Sequence, residues 1–285
     1  MEKNNFFVKS HGLGNDYIVL DEANLSFELD AHLIRIICDY HYGIGSDGIL
    51  LKVPSIRADF GLRIFNPDAS EAEKSGNGLR IFSKYLYDYG IAQKKTFTID
   101  TPGGVVHSSI IEDFNGKASM VSVDMGKAIF SSSLIPVKTD KSTFINEPLM
   151  IFNKEYHVNC VSVGNPHCVI IKENLDIDEI KKYGPYIESN HIFPNKINVQ
   201  FAKVLNDHEA EIIIWERGVG YTLASGSSAS AVASVLHKLG LVCPNVDIHM
   251  KGGVLKINID DVFNITMTGP VKQIAEGFLS SELFS

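Results

Sequence analysis

No stretch of the sequence is apolar over the roughly 18 residues that a membrane-crossing helix needs. No run of Lys or Arg is present either, so nothing marks a nucleic-acid or membrane patch. The first residues, Met1-Glu2-Lys3-Asn4-Asn5, are polar and lack the apolar core of a signal peptide. Cysteine is scarce: Cys38, Cys160, Cys168 and Cys243 stand without C-x-x-C spacing, which argues against a zinc site or a disulfide framework. These absences lead us to expect a cytoplasmic protein with no metal, nucleic-acid or membrane partner. Gly12, Gly14, Gly43 and Gly45 do not form a dinucleotide fingerprint, because neither run fits strand–GxGxxG–helix within a βαβ unit.

What is there is ordinary globular composition: 285 residues, 45% hydrophobic and 21% charged, with a formal net charge of −8. The length allows one large domain or two of typical size, with a sizeable core. Short alternating runs predict strands at 6–9, 17–20, 61–65, 105–110, 118–123, 157–163, 168–171, 197–201, 210–215, 254–259 and 262–267. Helices are expected at 31–40, 78–89 and 229–239. The last is small and apolar nearly all round, as a buried helix is. Gly90 and Gly240 stand where a helix-ending glycine would. The stretch from Lys127 to Phe152 reads as a junction of lower complexity.

Shifting the chain by 150 residues lays Gly14-Asn15 on Gly164-Asn165, Phe65 on Trp215, Ser75-Gly76 on Ser225-Gly226, Gly90 on Gly240 and Gly103 on Gly253. One register with the elements in order indicates two copies of a β-rich unit around one helix. Copies related by a pseudo-twofold axis would bring their Ser-Gly turns face to face across a cleft. A helix N-terminus attracts an anion, so two such turns would hold a carboxylate with one serine on each side. An N-cap role alone would also explain serine at both positions.

Several ordered motifs run along the chain: His11-Gly12-Leu13-Gly14-Asn15-Asp16-Tyr17, Tyr42-Gly43-Ile44-Gly45-Ser46-Asp47-Gly48, Phe65-Asn66-Pro67-Asp68-Ala69-Ser70-Glu71 and Ser75-Gly76-Asn77-Gly78-Leu79-Arg80. Gly164-Asn165-Pro166-His167, Phe193–Val199, Glu216–Thr222 and Thr268-Gly269-Pro270 follow. On these motifs the sequence resembles the diaminopimelate epimerase family almost from end to end. The resemblance implies an α+β fold of two pseudo-symmetric domains, each a β-barrel-like sheet around a central helix. It places the domains at 1–120 plus 271–285 and at 121–270, with a strand exchanged near Val121 and after Pro270. It also implies cofactor-free epimerisation of an amino acid, with LL- and meso-diaminopimelate as substrates, in lysine and cell-wall precursor synthesis. A homodimer is expected from the resemblance alone.

In that family two cysteines flank the substrate Cα, and the matching positions here are Ser75 and Ser225. A thiol at a helix N-terminus ionises within the neutral range, whereas a serine hydroxyl does not and is a poor base without help. Three accounts remain open: serines introduced to trap substrate, a natural branch with altered chemistry or a different base, or a protein that binds without turnover. By resemblance, Gly76, Asn77, Gly226 and Ser227 would hold the reacting carboxylate, and Asn15, Asn66, Asn165, Asn198, Glu216 and Arg217 would bind the rest of the substrate. Arg217 suits a two-pronged contact to a distal carboxylate, and Glu216 can accept from an ammonium. Turn-forming asparagines and a surface ion pair are the plainer readings of these residues. His167 is a candidate proton relay or a loop-ordering histidine. His11, Asp16 and Cys168 are weaker candidates. The alternative functions are an isomerase or lyase of the same fold using another base, and a non-catalytic amino-acid binder.

Overall fold

The computed structural model describes residues 3–284. The chain divides into two compact units: one runs to Val123 and resumes at Gly269, and the other is Asp124–Thr268. Each is α+β.

In the first unit the strands are β1 (Phe6–Gly12), β2 (Asn15–Asp21), β3 (Ile49–Val53), β4 (Phe60–Phe65), β5 (Glu71–Ala72), β6 (Thr96–Thr101) and β7 (Gly104–Phe114). β8 (Lys117–Lys127) leaves this unit. The second unit holds β9 (Glu147–Ile151), β10 (Lys154–Ser162), β11 (Pro166–Ile171), β12 (Asn198–Asn206), β13 (Glu209–Glu216), β14 (Gly220–Thr222), β15 (Asn245–Met250) and β16 (Gly253–Ile259). β17 (Asn264–Pro270) leads back, and β18 (Lys272–Phe278) closes the first unit's sequence. Among the described residues the α-helices are α1 (Ala31–Cys38), α2 (Gly76–Asp88), α3 (Ile177–Glu188) and α4 (Gly226–Lys238).

The duplication is written in the hydrogen-bond ladders. In the first unit β18–β1 and β1–β2 are antiparallel, β2–β3 parallel, β3–β4 and β4–β5 antiparallel, β4–β6 parallel and β6–β7 antiparallel. The second unit repeats this order with β9–β10, β10–β11, β11–β12, β12–β13, β13–β14, β13–β15 and β15–β16. The 150-residue register holds from strand to helix: Phe65 pairs with Glu71 as Trp215 pairs with Tyr221. It slips by one residue afterwards, so that Gly104, not Gly103, stands where Gly253 does at the hairpin turn.

Three helices differ from their sequence-based bounds for local reasons. α1 stops at Cys38 rather than Tyr40, because the Asp39 carboxylate takes the backbone N–H groups of His41 and Tyr42 and starts a turn. α2 and α4 begin earlier than expected, directly after Ser75 and Ser225, whose hydroxyls cap them. All residues from Gly76 to Leu86 are buried, and so are Ser228 to Leu236. α2 packs on β1, β2 and β7, and α4 on β10–β13, β15 and β16.

α3 is an addition that the sequence patterning did not predict. Asp176 caps it by accepting from Asp178 N–H, and Ile180 and Ile187 enter the core with Val158, Val199 and Phe201. Cys160 and Cys168 lie buried in the same core, directly paired across the β10–β11 hairpin. Gly184 permits the close approach of α3 to β13: a Cβ there would sit 2.8 Å from Trp215 Cγ.

Candidate active site

Each Ser-Gly turn follows a two- or three-residue strand, β5 or β14, and opens a helix. Ser75 (φ −139°, ψ 118°) and Ser225 (φ −151°, ψ 123°) share the extended backbone of an N-cap. Ser75 Oγ accepts from Gly78 N–H at 3.1 Å, and Ser225 Oγ accepts from Ser228 N–H at 3.4 Å. The amides of Gly76, Asn77, Gly226 and Ser227 lie in the first turns, where no carbonyl of the same helix reaches them. Unpaired amides and the helix dipole at such an end attract an anion such as a carboxylate.

At the head of α2 a polar chain runs through the first unit. Arg80 Nη2 donates to Asn77 Oδ1 at 2.8 Å, Asn77 Nδ2 to Asn15 Oδ1 at 3.0 Å, and Asn15 Nδ2 to Asp47 Oδ2 at 2.8 Å. Arg80 is fully buried, and burial pushes its guanidinium down to about 9, which leaves it a cation at neutral pH. Gly12 makes room for it, since a Cβ there would lie 2.9 Å from Arg80 Nη2. The Tyr17 hydroxyl stands 3.3 Å from Ser75 Oγ. Asn66 is spent locally, donating to Ser70 Oγ at 2.9 Å. His11 Nδ1 accepts from Gly14 N–H, and Asp16 pairs with Lys9 at 2.9 Å.

At the head of α4 the surroundings differ. Ser225 Oγ lies 3.4 Å from Glu216 Oε2, and Thr222 Oγ1 donates to Glu216 Oε1 at 2.6 Å. A second group forms beside it. Gln200 Nε2 donates to His167 Nδ1 at 3.1 Å and to Ser228 Oγ at 3.0 Å. His167 Nδ1 therefore accepts, and its Nε2 donates to Asn165 Oδ1 at 2.9 Å. Burial, with a smaller contribution from the Arg217 cation, pushes His167 down to about 3. The imidazole is neutral and spans Asn165 and Gln200, and its chain ends on Ser228 rather than Ser225. Asn198 donates to Pro166 O at 2.9 Å and accepts from Arg217 N–H at 2.9 Å, tying two loops together. Arg217 is exposed and donates through Nη1 to Asn195 O.

Of the residues expected from sequence, the structure gathers Asn15, Ser75, Gly76 and Asn77 in one unit, and Glu216, Ser225, Gly226 and Ser227 in the other. Asn165, His167, Asn198 and Arg217 form a linked group of their own. Tyr17, Asp47, Arg80, Gln200, Thr222 and Ser228 complete these networks without having been singled out. A signal existed for one of them: the 150-residue shift lays Tyr17 on His167.

Solved structures share this fold. The chain matches a hydroxyproline epimerase from Agrobacterium vitis with a TM-score of 0.72 and 14% identity, covering 100% of this chain and 93% of that one. A PhzF-family phenazine biosynthesis protein from Bacillus anthracis matches with a TM-score of 0.69 and 15% identity over 98% and 99%. The fold is thus one that a hydroxyproline epimerase also has. Sequence narrows it further. The "Diaminopimelate epimerase" family model matches residues 7–131 and 159–274. Diaminopimelate epimerase 2 of Nostoc sp. is 49% identical over 98% of this chain and 97% of its own length. Diaminopimelate epimerase of Alkaliphilus metalliredigens is 40% identical over 97% and 98%. The chain belongs to the diaminopimelate epimerase family, a family of isomerases that work without pyridoxal phosphate.

Proposed function

We propose that this protein epimerises an amino acid at Cα, with LL- and meso-diaminopimelate as the substrate pair, in lysine and cell-wall precursor synthesis. The observation that carries the reading is the paired helix head: within a chain of this family, two serine-capped turns in register each offer first-turn amides to an anion and a hydroxyl beside it. One hydroxyl takes the α-proton and the other returns one, each in the place of a family thiol. Because a hydroxyl is a far weaker acid than a thiol, turnover is slow unless a neighbour assists. Glu216, 3.4 Å from Ser225 Oγ, is the group that can receive its proton. Beside Ser75 the neighbour is the Tyr17 hydroxyl, which comes from a different position of the repeat. Arg217 would meet the distal carboxylate and Glu216 an ammonium, with Asn15, Asn165 and Asn198 completing the polar lining, and with Asn66 joining them on release from Ser70.

The reading includes a barrel-like wrap of each sheet around α2 or α4, domains bounded at 120/121 and 270/271, a homodimer, and a cytoplasmic location. No helix among the described residues is long and apolar enough to cross a membrane. The test is solvent exchange. Incubated with LL-diaminopimelate in deuterated water, the protein is expected to place deuterium at Cα and to form the meso isomer. Tight binding with no exchange, in this chain and in the Ser75→Cys/Ser225→Cys variant alike, would make it a binding protein instead.

A further inference from the structure

Among the described residues, Asp207, His208 and Cys243 bring three different metal-ligating atoms within 4.8 Å of one another. They are remote in sequence: Asp207 and His208 form the turn between β12 and β13, and Cys243 lies in the segment between α4 and β15. Spacing along the chain therefore gives no sign of them, and only the fold assembles the trio. Cys243 follows the C-terminal end of α4, whereas Ser225 caps its start. The length of α4, about 20 Å, separates the trio from the Ser225 turn.

The arrangement is built by the backbone. Cys243 N–H donates to Asp207 O at 2.7 Å, and Asp247 N–H donates to His208 O at 2.9 Å, so the turn and the segment are clamped together. Asn206 Oδ1 takes the N–H of His208 at 2.8 Å and fixes the turn itself. The imidazole is oriented too. His208 Nδ1 lies 3.2 Å from the carbonyl oxygen of Asn245, which can only accept, so Nδ1 carries a proton and Nε2 is the ring nitrogen left to face a metal. A backbone carbonyl behind the ring is the usual second partner of a metal-binding histidine. Nε2 is 3.8 Å from Asp207 Oδ2, and Cys243 Sγ is 3.9 Å from the same oxygen. Tetrahedral zinc holds such N, O and S atoms about 3.3–3.6 Å apart; the two edges at Asp207 Oδ2 are a few tenths of an ångström longer, and the third, which lies within 4.8 Å, must close by up to about 1.2 Å as the ligands turn toward the ion. Asp207 and His208 are exposed and Cys243 is half-buried, so an ion can enter. The other three cysteines are buried.

We propose that Asp207, His208 and Cys243 form a site for a borderline-soft divalent cation of the zinc type. It is a clamp between the β12–β13 turn and the segment leading to β15, with water as the fourth ligand. On binding, the Cys243 thiol gives its proton to solvent and the thiolate takes the metal, so affinity falls as pH is lowered.

The test is a Co²⁺ titration of the full-length reduced protein at neutral pH. One equivalent is expected to give a thiolate-to-cobalt charge-transfer band and the visible absorption of tetrahedral cobalt, both displaced by Zn²⁺. Cys243→Ser should abolish the charge-transfer band, and His208→Gln should weaken binding at least ten-fold. Zn²⁺ should also protect Cys243 of the unmodified chain from alkylation, a reading that needs no variant. A titration without a thiolate band, a band that survives Cys243→Ser, or Cys243 alkylated equally fast with and without Zn²⁺ would each overturn the proposal.

Discussion

A serine hydroxyl at the head of a helix accepts a bond from the first turn whether or not it moves protons. The two roles come apart on substitution. Ser75→Ala removes the cap of α2 and is expected to cost about 1 kcal/mol in a denaturant titration. Ser75→Asp retains a capping oxygen but sets a negative charge where the reading above seats a carboxylate. It should leave the unfolding midpoint near that of the parent while weakening diaminopimelate binding by ten-fold or more, measured by calorimetry. Equal affinity in Ser75→Asp would remove the anion site from this turn.

His167 makes the other residue-scale prediction. Its folded pKa of about 3 lies below the ordinary value of 6.5. The unfolded chain thus binds a proton in a range where the folded chain does not. The contribution of neutral His167 to stability is complete above pH 6.5 and is lost as pH falls toward 3, at up to about 1.4 kcal/mol per pH unit. Denaturant midpoints measured from pH 7 to pH 4 should fall less steeply in His167→Gln than in the parent. Parallel curves would mean that the imidazole takes up a proton in the folded state and is free to act as a base near neutral pH.

At the scale of elements, α3 is the instructive case. Gly184-Pro185 inside it reads as a breaker, so periodicity alone gives no helix there. The internal repeat contained the missing signal, because α1 shifted by 150 residues falls on 181–188, within Ile177–Glu188. β3 reads Ile-Leu-Leu-Lys-Val and β18 Lys-Gln-Ile-Ala-Glu-Gly-Phe; neither alternates along its length, so patterning gives no strand at either. β9, inside the stretch read as a junction, is the counterpart of β18, since each pairs with the first strand of its hairpin. Gly184 yields a prediction whose sign is not obvious. Alanine is the better helix former by about 1 kcal/mol, but its Cβ would meet the rigid Trp215 ring at 2.8 Å. We expect Gly184→Ala to destabilise the protein by about 1–3 kcal/mol, as overpacking does. A raised unfolding midpoint would mean that the α3–β13 contact yields without strain.

For the whole molecule, the repeat was the most legible feature. A handful of matched positions set the register, and the pairing order of sixteen strands repeats it ladder by ladder. What the sequence left hidden is what each turn faces. The copies agree in backbone and differ in side chains, with Tyr17 beside Ser75 and Glu216 beside Ser225. Networks such as Arg80–Asn77–Asn15–Asp47 join residues up to 65 positions apart, which no local pattern encodes.

The central proposal is that this chain is an epimerase in which the Ser75 and Ser225 hydroxyls take the places of the family's thiols. It is tested most directly by the rate of deuterium uptake at Cα of LL-diaminopimelate, for the parent and for Ser75→Cys/Ser225→Cys. The account predicts measurable exchange in the parent and a gain on the order of a hundred-fold or more in the double variant. A double variant that folds and binds the amino acid yet exchanges no Cα proton would contradict it.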